Sequence, residues 1–502
     1  MPIRHVSVPA ASAEQVPEPI RQGMTALRDS LGVPADFAPE VSAAAAADVA
    51  RGPLDSAPDA DELGITARVD HTDLPFVTID PIGSMDLDQA MFIESRDDEN
   101  GKGFRVWYAI ADVAAWVHPG QAVDQEAHRR GQTFYAPLER APLHPSVLSE
   151  AAASLLADGT DRPALVWQID LDESGAQVAA KVERSTVRSR ERLDYIGVQK
   201  MLDEGNAPEW LLLLKQVGQL RERQEITRGG VSLNLPEQEI VTDGAAWHVE
   251  YRSPLPVEGW NAQISLLTGM AAATMMLQGK VGLLRTLPPA EDRAVGKLRA
   301  TARSLGIAWP KTMNYPDFVR SLDVSKPSHL AMMTSCTSLF RGAAYTLIDS
   351  TTVDTNLKHN ALAANYAHCT APLRRLVDRF VGEICVHLCA GTPVPQWVLD
   401  ALPALPQQMA DSDKRAKKFE RGVTDLVEAL VLSSRIGETF SATVIDSDGK
   451  GHGAISIADP ATEAKVTADG LELGQEVHVK LLAVDLVKGS ASFDVLGDAP
   501  SA

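Results

Sequence analysis

The chain has 502 residues, 45% of them apolar and 23% charged, with a formal net charge of −20. That length holds several domains with real cores, and the balance is that of a globular protein, not a disordered or fibrous one. So negative a charge excludes a non-specific nucleic-acid binder held by a broad basic surface, but not an enclosed channel with positive charge along a strand's path.

No stretch of about 18 apolar residues is free of charges, and the N-terminus has neither a basic start nor a following apolar core. No membrane partner is expected, and the cytoplasm is the expected compartment. Residues 1–64 read as a helical, helix-turn-helix-like module. Ile20, Met24, Leu27 and Leu31 recur at helical spacing, Gly32 stands where a helix stops, and Phe37, Val41, Ala45 and Val49 predict a second helix. The acidic, Pro-containing stretch from Pro53 to Glu62 reads as a linker.

Residues 65–435 show no composition break and read as an α+β body. Strand-like runs come first, at Phe76 to Ile79, Leu87 to Ile93, Phe104 to Val113, Ala164 to Asp170 and Val231 to Leu235. Helical patterns follow at Trp260 to Gln278, Ala294 to Leu305, Ala331 to Ile348, Leu373 to Leu388 and Ala410 to Ser434. Residues 436–502 change to short alternating strands with Gly-rich turns, the pattern of a small OB-fold barrel.

Between the first two strands lie Asp80, Asp86 and Asp88, three carboxylates within nine positions. On a strand Asp86 and Asp88 share a face, and Asp80 can converge on them across the Pro81 to Gly83 turn. Carboxylates forced together need an offsetting cation, and magnesium takes such oxygen ligands while keeping several waters. A solvated acidic turn or a calcium-stabilised loop satisfies the same spacing. Downstream, Pro372 predicts a helix start with Arg374 and Arg375 near its N-terminus, where phosphate is favoured. Arginines that cap or salt-bridge a core helix would look the same. The basic clusters His128 to Arg130, Arg184 to Arg192 and Lys414 to Arg421 are, singly, solvated helix faces as readily as an RNA path. Cys336, Cys369, Cys385 and Cys389 are too few for a disulfide framework and lack a zinc-type partner set, so buried thiols are expected.

Together the motifs T-I-D-x5-D-x-D-x-A around Asp80, Asp86 and Asp88, Tyr-Ala-Ile-Ala-Asp at 108–112, Thr133 to Pro137, and Tyr366 to Asp378 resemble, in order and interval, the catalytic domain of the ribonuclease II/R exoribonucleases. The terminal barrel resembles that family's OB-fold RNA-binding domain. The resemblance implies magnesium-dependent (manganese as substitute), processive 3′-to-5′ hydrolysis of single-stranded RNA to nucleoside 5′-monophosphates by a monomer, with no DNA substrate. It implies that Asp80, Asp86 and Asp88 hold the metal, with Asp86 and Asp88 also catalytic, and that Arg374 contacts the cleaved phosphate, with Arg375 beside it on the RNA path. Tyr135 matches the aromatic that stacks on the terminal base, Tyr195 a tyrosine near the ribose, and Glu420 a glutamate near the terminal nucleotide.

This chain departs from the family at several points. Gln89 stands where the family has a fourth aspartate and is expected to coordinate the metal or hold a water. Leu233 stands at the second aromatic of the base clamp, Gln263 at a ribose-contacting glutamate, Ala371 at a serine and Leu376 at a tyrosine. A catalytically impaired RNA-binding protein on the same fold is the alternative, and a phosphodiesterase acting on small substrates a third reading. Family members usually carry two cold-shock barrels ahead of the catalytic domain, which the helical N-terminal pattern cannot contain. A short, open access channel is therefore expected. Digestion of 3′-tailed duplexes of graded tail length checks this, long residual tails being the contrary result.

Overall fold

The computed structural model describes residues 18–34, 36–56, 60–65, 67–98, 101–136, 140–233, 235, 237–242, 247–351 and 357–498. A seven-stranded sheet runs in the order Val69–Asp70, Gln177–Val187, Arg162–Asp172, Gly101–Ala111, Gln89–Asp98, Val77–Asp80, Glu191–Asp194. Its centre is antiparallel and both outer pairs are parallel. One face carries Tyr108, Trp167 and Ile169 into a core shared with the helices Pro256–Gly279 and Leu376–Ala390. Gly269 lets the chain at Tyr366 and Ala367 lie directly against the first of these helices, since an added Cβ would come within 2.2 Å of Tyr366. Among the described residues no helix is long and apolar enough to cross a membrane.

The two expected N-terminal helices form, at Glu18–Leu31 and Pro39–Arg51, but they pack into the body. Ile20 and Met24 share a cluster with Phe134, Phe419 and Val423, and Val41 and Ala45 pack in the cluster that holds Leu87 and Trp116. The expected linker is also docked: Leu54, Ala60 and Leu63 are buried against Trp397. Apolar residues spaced within an acidic stretch outweighed its composition.

The run from Ala331 is not one helix. A helix at Pro327–Cys336 and a short 3-10 turn stop before Gly342, whose φ of 92° suits glycine, and Ala344–Ile348 is a strand paired with Gly282–Thr286. Val231 to Leu233 and Leu235 are irregular, with the strand beginning at Glu237. Val231 instead bonds the Ala361 carbonyl and packs with Phe318 and Met332.

One arginine of each of two basic clusters turns inward. Arg130 and Arg184 are fully buried, paired with Glu126 and with Asp112 and Glu383 respectively. Cys336, Cys369 and Cys385 are buried free thiols; Cys389 is exposed, contrary to expectation, because it falls at the end of its helix. The C-terminal strands form one five-stranded antiparallel sheet, with Thr462–Thr467 and Ser490–Asp498 at its edges, and these edges lie against each other so that the sheet nearly closes into a barrel.

Candidate active site

The acidic turn does not lie on a strand as its spacing suggested. The strand starts at Gln89, and residues 85–88 are held extended by a remote segment. Leu87 N–H donates to Ser154 Oγ at 2.9 Å, that hydroxyl donates to the Met85 carbonyl, and Leu155 N–H donates to the Leu87 carbonyl. Leu87 is buried in the core, so its neighbours Asp86 and Asp88 project to the opposite side, as an extended chain requires. Asp80 ends its strand, with Asp194 of the parallel neighbour opposite it. Asp194 then caps the next helix by accepting from Gly197 N–H at 2.8 Å, which sets Tyr195 at that helix's first position.

Arg374 stands at the meeting point. Its Nε donates to Asp88 at 3.2 Å, while Leu373 N–H donates to the other oxygen of Asp88 at 2.7 Å. The charge of Arg374 acts on Asp80, Asp88, Tyr135 and Tyr195 alike. Asp86 in turn raises both other aspartates. Burial pushes Asp88 up to about 8 and Asp80 up to about 6, against the pull of Arg374 on both. Among the described residues no hydrogen-bond donor reaches the carboxylate of Asp80.

The loop carrying Arg374 is not helical at Pro372, contrary to the sequence reading. The helix starts at Leu376, because Thr133 N–H donates to the Arg374 carbonyl, Leu376 N–H to the Gly131 carbonyl, and Arg375 bridges to Gln132. Arg375, expected on the RNA path, is clamped by Asp378 at 2.8 and 3.0 Å. That carboxylate also accepts from Ala371 N–H, so the pair braces the loop under Arg374.

Tyr135 sits on a two-residue strand opposite Arg140. Arg140 spans Asp86 at 2.6 Å and Glu150 at 2.5 Å. This arginine was not singled out from the sequence; a hairpin reading of the segment after Tyr135 would have put it across from the tyrosine. Pro137, the end of that motif, lies outside the described residues. Phe419 meets Phe134 edge-on at 6.4 Å, so the helix Leu405–Ser433, which carries Glu420, backs the Tyr135 strand. Tyr195 Oη accepts from Asn261 Nδ2 at 3.0 Å.

Gln89 is engaged at both ends of its amide. Its nitrogen donates to the Thr370 carbonyl, and its oxygen accepts from Tyr108 Oη at 3.1 Å. It links the acidic turn to the Arg374 loop, a role that its position in the motif did not suggest. Gln89→Glu removes the donor and sets a carboxylate against that carbonyl. The cation-free variant should lose about 1–3 kcal/mol, read as a lower urea midpoint. An unchanged midpoint would show that this link carries no weight.

Two expected contacts are elsewhere. Leu233 packs into the apolar cluster of Leu298, Phe318 and Met332, and Gln263 donates to Glu225 on a neighbouring helix at 2.7 Å, facing away from Asn261. Among the described residues no three His, Cys, Asp or Glu side chains gather closely enough to cage a metal by themselves. The donor set nevertheless fits a hard cation. Among the described residues no donor holds the Asp80 carboxylate, the charge of Asp86 acts on both Asp80 and Asp88, and magnesium binds through one or two carboxylates with water and substrate phosphate completing its shell.

Residues 68–390 match the RNB domain family, and residues 438–496 match the RNase II-type exonuclease C-terminal S1 domain. The chain is 25% identical over 481 residues to ribonuclease R of Vibrio cholerae, covering 86% of this chain and 57% of that one. It is 25% identical over 411 residues to ribonuclease R of Escherichia coli, covering 76% and 49%. The chain thus spans about half the length of these curated relatives. A Mycoplasma genitalium RNase R structure, solved with ribose-methylated single-stranded RNA, superposes with a TM-score of 0.82 at 20% identity, over 95% of this chain and 78% of that one. With an RNB match over most of its length and an S1 match behind it, the chain belongs to the RNB family.

Proposed function

We propose that this protein is a divalent-cation-dependent, processive 3′-to-5′ exoribonuclease that hydrolyses single-stranded RNA to nucleoside 5′-monophosphates, with magnesium as the cation and the monomer as the working unit. The observation that carries this is the meeting of Asp80, Asp86 and Asp88 with Arg374 on an RNB fold. The named relatives are ribonucleases, and one was solved with single-stranded RNA.

Asp80, Asp86 and Asp88 would hold the cation, which when bound makes water nucleophilic near neutral pH and offsets charge on the phosphate. Arg374 reaches the same phosphate through the part of its guanidinium not held by Asp88 and stabilises charge that develops there. Tyr135 presents a ring beside Arg374, suited to stacking on the terminal base without choosing among bases, and Tyr195 offers a hydroxyl near Asp80 for a ribose. Glu420 reaches the terminal nucleotide from the helix behind Tyr135. Gln89 and Arg375 serve here as braces for the two loops, and Leu233 as packing.

End-labelled oligoribonucleotide incubated with magnesium tests the reading. Stepwise release of nucleoside 5′-monophosphate is expected, with none from the matching DNA and none in EDTA. RNA that is bound but stays intact would instead support the impaired RNA-binding protein. Because burial raises Asp80 and Asp88, a cation must displace protons from them, so its apparent affinity should rise with pH between about 5 and 8. Calorimetric titration with manganese in two buffers of different ionisation enthalpy measures those protons.

A further inference from the structure

Beyond Arg374 and Arg375 lies a row of side chains that the site above does not use. The Arg285 guanidinium lies over the Tyr345 ring at 4.6 Å. Tyr345 Oη and His368 Nδ1 are 2.6 Å apart, and Tyr366 meets the His368 ring edge-on at 5.5 Å. Arg285, Tyr345 and His368 are all partly exposed. Backbone pairing fixes the row: Tyr345 lies opposite Arg285 in the small sheet, and Arg285 N–H donates to the Tyr366 carbonyl at 2.8 Å. The cluster adjoins the cleavage loop, since the charges of Arg374 and Arg375 both act on His368.

The charge balance here is uneven. Arg375 is neutralised by Asp378, and Asp413 near Tyr345 is bridged by Lys417 at 2.6 Å. Among the described residues no carboxylate pairs with Arg285. A guanidinium stacked on a ring and left without a counter-ion is suited to a phosphate, and neighbouring aromatic edges suit a sugar or base. With Nδ1 taken by Tyr345, His368 has Nε2 left for a ligand.

We propose that Arg285, Tyr345 and His368 form a second nucleotide subsite, which takes one backbone phosphate of single-stranded RNA on Arg285 and the attached nucleoside against Tyr345 and His368. This rests on the RNA reading above. The test titrates a fluorescent single-stranded oligoribonucleotide against the full chain in EDTA at increasing KCl. Arg285→Gln should weaken binding about tenfold at low salt and reduce the slope of log affinity against log salt by about 0.7, the signature of one lost phosphate contact. Arg285→Lys should restore the slope. Tyr345→Phe, which keeps the ring and releases His368, should weaken binding without changing the slope. An unchanged slope in Arg285→Gln overturns the proposal. Should that variant fail to fold, unchanged affinity in Tyr345→Phe overturns it equally. Wild-type protein that neither binds nor cleaves RNA would overturn the exoribonuclease reading itself.

Discussion

Asp88→Asn is expected to slow monophosphate release from single-stranded RNA by about a thousandfold while leaving RNA affinity within about threefold. Asp88 is buried beside Arg374, and its two oxygens take the Leu373 N–H and the Arg374 Nε–H. Asparagine keeps the shape and can still accept from Leu373, but it offers an N–H where Arg374 donates and removes the charge that a cation needs. The loop under Arg374 remains braced by Arg375 with Asp378, so the RNA contacts proposed for Arg374 and Tyr135 should survive. Single-turnover rates beside equilibrium binding of the same labelled RNA separate these effects. Turnover within tenfold of wild type would remove Asp88 from the proposed chemistry.

Arg184→Met should cost about 3–5 kcal/mol of folding stability. Arg184 is fully buried between Asp112 at 2.8 Å and Glu383 at 2.5 Å, and both carboxylates are as deeply buried. Among the described residues, removing the guanidinium leaves Glu383 with only His387 at 4.0 Å, a histidine that burial holds below its usual range and therefore neutral. Asp112 keeps Arg68 at 3.0 Å. The cluster ties the central sheet, the N-terminal segment through Asp55, and the helix that follows Arg374. Chemical denaturation measures the loss; one below about 1 kcal/mol would show that the pair is compensated elsewhere. Acid should mimic the variant. Burial opposes ionisation of Asp112, but Arg184 and Arg68 outweigh it and hold the carboxyl below the usual range. Its contribution is therefore fully present above about pH 4 and is lost as pH falls through the lowered value.

Asp80, Asp86, Asp88 and Arg374, which the fold brings together, were all legible as residue types at fixed intervals, because the proposed phosphodiester chemistry needs carboxylates and a guanidinium whatever holds them. The helices at Glu18–Leu31 and Pro256–Gly279 and the strands of the central sheet were legible too, since an apolar stripe at period 3.6 or 2 states which face is buried. Such patterns report only near neighbours. They overran at Gly342, where a helical stretch became the strand that carries Tyr345, and they took the Pro53 to Glu62 stretch for a linker although Leu54 and Ala60 within it are buried against Trp397.

The sequence by itself determined which side chains could do chemistry here, and through the ordered motifs it determined the family. Only the tertiary structure decided what each does. Gln89 spans 281 positions to brace against Thr370, Asp88 spans 285 to take the Leu373 N–H, Arg375 turns inward to Asp378, and Leu233 packs with Phe318 and Met332. The reason is physical: once buried, a polar group must find a partner, and the partner in reach is set by which distant segments meet, not by spacing along the chain.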